Sequence, residues 1–222
     1  MSVNTWKHLR TWRYVIAIAH KKGGSGKTTV ACNLAAELSK EFKTTIIDAD
    51  SQQHLTKFNN RRETPINLVE CKSADELVKF LKSDDGLVVI DLGGYDSDLS
   101  RAILTYADLV ITPMSNTAND QEGLAEFLPI MKQVKDIRSD IESYILINRV
   151  HFADKGTLKF LKGFCEKSDI FNVFNTVIPS RKQHEQILAT GKSVVESEPF
   201  SKASLEIQEL VKEIKEKVGS NG

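Results

Sequence analysis

The stretch HKKGGSGKTTV, residues 20–30, brings three glycines, three lysines, a serine and two threonines together. Residues of these types can hold a phosphate. Gly23, Gly24 and Gly26 let the backbone turn tightly and aim successive N–H groups inward, through Ser25 and on to Lys27, Thr28 and Thr29 at the start of a helix. Lys27 stands where an ammonium reaches the outer phosphates of a nucleoside triphosphate, and the Thr28 hydroxyl where it ligates Mg²⁺. The spacing G-x-x-x-x-G-K-[ST] is met except at its first position, which holds Lys21, with a further lysine, Lys22, behind it. A glycine-rich turn that binds nothing is the plain alternative; the full G-K-T-T run between a strand pattern and a helix pattern argues against it.

Magnesium chemistry also needs carboxylates. The apolar runs IIDAD and VVID end in Asp48 and Asp50 and in Asp91. Strands often close on aspartate for turn reasons, so one such end means little, but two beside a phosphate loop mean more. Asp91 reads as the metal's carboxylate, acting through a water, and Asp48 as a member of the metal's outer shell. Asp50 reads as the group that orients an attacking water. Gly93 and Gly94, just past Asp91, form a segment able to sense the outermost phosphate. Asn148, closing ILIN, offers an amide to a base edge, and Pro179 a flat apolar face to its ring; an asparagine there is equally a plain turn residue.

Residues so far apart in sequence meet only if strands carry them to one edge of a sheet. YVIAIAH, TTIIDAD, GLVVID, ADLVITP, ESYILINRV and NTVIP have strand patterns, and residues 66–69 suit an edge strand. Helix patterns alternate with them over 28–41, 73–83, 98–106, 119–136, 155–167 and 181–190, the second opened by the pair Ser73 and Glu76 in capping-box spacing. The closing LEIQELVKEIKEKV puts Ile207, Leu210, Val211, Ile214 and Val218 on one stripe. Its polar face carries four glutamates against three lysines and no aromatic anchor, which favours docking on the core over lying on anionic lipid. The expected fold class is α/β, a P-loop NTPase with a mostly parallel twisted sheet and helices on both faces. Ligands of such sheets sit beyond the carboxyl ends of the strands. The expected organisation is an N-terminal extension over 1–13, one domain over 14–218 and a flexible tail over 219–222.

The 222 residues carry 30 basic and 30 acidic side chains, so any nucleic-acid or membrane surface must be a local patch. Three cysteines, far apart and in no C-x-x-C spacing, disfavour a disulfide framework or zinc site and fit a reducing cytoplasm. No apolar run is long enough to span a bilayer.

KGGSGKTT, with a lysine just before the glycine pair, resembles the deviant Walker A motif of the ParA/MinD ATPases. IIDADSQ resembles that family's Walker A′ motif and VVIDLGG its Walker B, while ADLVITPMSNTANDQEGL, ILINRV and VIPSRKQHEQILATGKSVVE fall in its order and spacing. The small ParF-like plasmid-partition type is the branch most resembled. Two departures stand out: Ser51 replaces the usual proline after Asp50, and Leu92-Gly93-Gly94 replaces Thr-Pro-Pro after Asp91. The resemblance implies a slow, partner-stimulated ATPase with Mg²⁺ and ATP as cofactors, an ATP-bound homodimer, a ParB-like partner, non-specific DNA and no stable membrane association. It places the protein in the cytoplasm, on the nucleoid when ATP is bound, in plasmid or chromosome segregation or cargo positioning. It implies that Lys22 crosses the dimer to the partner's phosphates and acts in catalysis with Lys27 and Asp50. It implies that Asn148, Arg149 and Pro179 line the nucleotide. Between residues 148 and 192 eight basic residues face four acidic ones, and Arg181, Lys182 and Lys192 are the expected phosphate contacts on DNA. The basic start with Trp6, Lys7, Arg10, Trp12 and Arg13 could extend that surface or pack on the core. Three other readings stay open: a membrane-cycling positioning ATPase of the MinD kind, a metabolic or metallocentre-maturation ATPase on the same fold, and a nucleotide-binding scaffold without turnover.

Overall fold

Val15, Ala17 and Ala19 of the first strand enter one apolar core and Tyr14, Ile16 and Ile18 another, as a continuous apolar run must when both faces of its sheet are covered. The computed structural model describes residues 13–83, 86–94, 97–150 and 155–220, without the side chains of residues 83, 155, 157, 158, 160, 162 and 217–220. Apart from Arg13, the expected N-terminal extension lies outside the described residues. Seven strands are described: β1 (Arg13–Ala19), β2 (Thr44–Asp48), β3 (Asn67–Leu68), β4 (Gly86–Leu92), β5 (Leu109–Met114), β6 (Glu142–Val150) and β7 (Asn172–Pro179). They pair in the order β3-β2-β4-β1-β5-β6-β7, every pair parallel.

One face is covered by α1 (Lys27–Leu38), α2 (His54–Asn60), α7 (Lys182–Thr190), α8 (Val194–Ser197) and α9 (Lys202–Ser220). The other is covered by α3 (Ala74–Ser83), α4 (Asp98–Tyr106), α5 (Ala118–Ile137) and α6 (Lys155–Ser168). In α9 the stripe Ile207, Leu210, Val211 and Ile214 is buried as its spacing requires. Among the described residues no helix is long and apolar enough to cross a membrane.

Several boundaries differ from expectation. Helix α1 stops at Leu38, and α9 continues through Ser220, into the segment expected to be a tail. Helices α2 and α8 were not anticipated. The first is short and is entered through Gln53 in the left-handed region (φ 53°); the second is one turn fixed by a capping box between Ser193 and Glu196. Strand β7 starts three residues before NTVIP, and its register against β6 shifts between Ile145 and Ile147. That irregularity hides the alternation from sequence; Glu213 of α9 takes up the backbone N–H groups of Asn175 and Thr176 there.

Candidate functional site

The glycine-rich loop leaves the centre of the sheet between β1 and α1, with Gly24 (φ 81°) and Gly26 (φ 93°) in the left-handed backbone their lack of Cβ allows. Gly26 also has no room for a side chain: a Cβ there would lie 2.3 Å from Asn148 Nδ2. That amide donates to the Ser25 carbonyl at 2.8 Å, and the Arg149 guanidinium donates to the Gly24 carbonyl. The carboxyl end of β6 thus holds the loop from behind, with Arg149 itself at φ 57°. Pro179, the last residue of β7, is buried nearby in the fold, its backbone in register with Val150. Lys27, only 7% exposed, lays its ammonium 3.1 Å from the Lys22 carbonyl across the loop. Burial pulls its pKa down, against the carboxylates of Asp91, Asp50 and Asp120.

Sheet register brings the aspartates to this loop. Asp91 of β4 pairs with Ile18 of β1 on one side and Asp48 of β2 on the other. Asp91 is fully buried and neither carboxylate oxygen has a hydrogen-bond partner. Burial pushes it up to about 7, while the neighbouring Thr28 hydroxyl pulls it back down. Asp48 is occupied differently: its oxygens accept the Asp50 N–H at 3.2 Å and the Thr56 N–H at 2.8 Å, stapling the strand end to α2. Asp50 accepts the Gln52 N–H at 2.8 Å and lies against Gly93, where a Cβ would come within 2.7 Å of the Asp50 carboxyl carbon.

Mg²⁺ bound with phosphates takes one or two protein ligands and keeps its waters. A buried, unpartnered Asp91 carboxylate beside the Thr28 hydroxyl fits that demand, and Asp48, with both oxygens on backbone donors, fits an outer position at most. Among the described residues no cluster of three or more His, Cys, Asp or Glu could hold a metal without such help.

The residues missed from sequence lie on α5. Lys22 places its ammonium 3.4 Å from Glu122, and Lys21 is 2.5 Å from Glu126. His20, 2% exposed, accepts the Lys22 N–H on Nδ1 at 2.9 Å, and Asp120 accepts from the backbone and hydroxyl of Ser115. Gly123 inside a helix pattern was the available signal, since an interior helical glycine marks close approach.

The expected DNA contacts differ in how far they are already engaged within the chain. Arg181 is half-buried and spends its guanidinium on Glu206, with bonds of 2.8 and 2.5 Å, so it is not an exposed cation. Lys192 is exposed but pairs with Glu63 at 3.0 Å, and Lys182 is exposed.

The family model for the CobQ/CobB/MinD/ParA nucleotide binding domain matches residues 16–216. Protein ParA of Rhizobium radiobacter is 33% identical over 128 residues, a match covering 55% of this chain and 58% of that protein. Maintenance of carboxysome distribution protein A (McdA) of Gloeobacter kilaueensis is 27% identical over 186 residues, covering 82% and 84%. The solved ATP complex of Cyanothece McdA has the same fold, with a TM-score of 0.72 at 17% identity over 91% of this chain and 96% of that one.

Proposed function

Because the chain belongs to the CobQ/CobB/MinD/ParA nucleotide-binding family, we propose that it is a ParA-like ATPase switch. Mg-ATP pairs two copies into a sandwich dimer, the dimer binds duplex DNA without reading its sequence, and partner-stimulated hydrolysis releases it. The observation that carries this reading is the buried, partnerless Asp91 carboxylate set against Thr28 and Lys27 at the mouth of the glycine loop. An unpaired buried carboxylate is costly, and a divalent cation is the partner that offsets the cost.

In this reading the N–H groups from Gly23 to Thr29 receive phosphate oxygens, and Lys27 swings from the Lys22 carbonyl to the outer phosphates. Thr28 and Asp91 would hold Mg²⁺, which would neutralise charge on those phosphates. Asp50 holds the attacking water and is itself kept in place by the Gly93 backbone. Asn148, with one amide hydrogen committed to Ser25, keeps its carbonyl oxygen for an adenine amino group, with Arg149 and Pro179 beside it. Lys22 reaches the triphosphate held by the second copy. Four or more phosphate charges at one interface repel unless each copy adds a cation, which makes pairing depend on ATP.

The ParA relative supports a ParB-like partner and a cytoplasmic, nucleoid-associated life, and the carboxysome-distribution relative supports cargo positioning more broadly. Size-exclusion chromatography tests the switch: a dimer with a non-hydrolysable ATP analogue and a monomer with ADP are expected. A monomer under saturating analogue rejects it.

A further inference from the structure

Lys22 is held at three points within its own chain. Its N–H is bonded to His20 Nδ1 at 2.9 Å, its stem packs on Gly123, and its ammonium is 3.4 Å from Glu122. The packing is close enough that a Cβ on Gly123 would lie 2.6 Å from Lys22 Cγ and 2.7 Å from His20 Cε1. One turn along the same helix, Glu126 takes Lys21 at 2.5 Å, and that contact holds its carboxyl below the usual range. The first turns of α5 are therefore a seat for both loop lysines.

We propose that Glu122 is a positioning residue for ATP-dependent pairing, holding Lys22 in its own chain until a second copy's triphosphate takes it, with Glu126 holding the neighbouring Lys21 in the same seat. This rests on the role given to Lys22 above. The pair is partly exposed, 34% at Lys22 and 62% at Glu122, so it is weak enough to be broken. A triphosphate carries more charge than one carboxylate and wins the lysine; a diphosphate, lacking the outermost group, competes less well. Glu122 thus sets the threshold that separates ATP from ADP. Its carboxylate also repels the incoming phosphates, so removing it acts twice in each copy.

Sedimentation equilibrium of the full chain tests this, comparing wild type, E122Q, E122Q/E126Q, K22A and E41Q. Glu41 pairs with Lys215 elsewhere at 2.5 Å, the length of the Lys21–Glu126 pair, and controls for the loss of a carboxylate. With a non-hydrolysable ATP analogue, E122Q/E126Q should pair about 3- to 10-fold more tightly than wild type, E122Q less so, and the gain should shrink at high salt. With ADP, the double variant should begin to pair where wild type does not. An unchanged dissociation constant, or an equal shift in E41Q, overturns the proposal while leaving the switch intact. Wild type that never pairs, or K22A that pairs as well as wild type, refutes the role of Lys22 and the proposal with it.

Discussion

Asp91 carries a burden that its neighbours in the fold relieve only in part, since it is fully buried with both oxygens unbonded and the pull of Thr28 and Lys27 does not offset burial. Its raised pKa means that the ionised form is disfavoured in the folded chain, so the penalty grows as pH rises above the ordinary carboxylate range and is complete above about 7. At pH 8, D91N should therefore melt about 2–12 °C higher than wild type without nucleotide, by removing roughly 1–3 kcal/mol of unfavourable burial. The same variant should lose the Mg²⁺-dependent part of ATP affinity, measured by titration calorimetry. Asp50 makes the opposite case: it is partly exposed and bonded, and in the proposed switch its work is chemical. D50A should bind ATP and pair, yet turn over on the order of 100-fold more slowly in a phosphate-release assay. G93A pushes on the Asp50 carboxyl from 2.7 Å and should lower turnover by about 10-fold at nearly unchanged nucleotide affinity. Loss of nucleotide binding in G93A would show that the loop, not the water, depends on this contact.

At the scale of elements, the unforeseen helices are the ones that tie the site to the C-terminal helices on the same face of the sheet. Helix α2 begins where Asp48 and Asp50 end, and the residues just past it clamp α7 and α8. Arg62 grips Glu196 at 2.9 and 2.7 Å and lies 5.3 Å from the centre of the Phe58 ring, while Arg61 donates to the Leu188 carbonyl at 2.9 Å. Gly191 closes the joint: it ends α7 at φ 68°, and a Cβ there would lie 2.5 Å from the Arg61 carbonyl carbon. Neither the backbone angle nor the contact tolerates a side chain. G191A should therefore cost about 2 kcal/mol or more, seen as a lower urea midpoint at unchanged slope. R62A, which leaves Glu196 half-buried without its partner, should lose a similar amount. A motion of the Asp50 segment on hydrolysis would reach α7 and α8 through this clamp.

At the scale of the whole molecule, the neutral charge balance means that the proposed DNA binding would rest on local cations, doubled in the proposed dimer. Lys182 and Lys192 remain candidates. In ATP-dependent filter binding, K182A should flatten the log–log salt dependence by about 1 for each DNA phosphate it no longer neutralises. R181A should instead lower the melting temperature by breaking the link from α7 to α9 and leave that slope alone, because its guanidinium is already bonded to Glu206. A flattened slope in R181A would return Arg181 to the DNA surface.

The sequence by itself determined the strand–helix alternation, the loop from Gly23 to Thr29 and the aspartates at the strand ends, because local periodicity and glycine spacing set these within a dozen residues. It also supported the parallel sheet, since apolar runs like Ile46–Ile47 and Val88–Ile90 need cover on both faces. Which aspartate stays unbonded, which basic residue is exposed and which glutamate meets Lys22 were decided by tertiary structure alone. Asp48 and Asp91 look equivalent in sequence, yet one is satisfied by the Asp50 and Thr56 backbone and the other by nothing. Arg181 and Glu206 lie 25 positions apart, and Lys22 and Glu122 100. No pattern of period 2 or 3.6 records such pairs, because they exist only once the sheet order has folded distant helices onto the same loop.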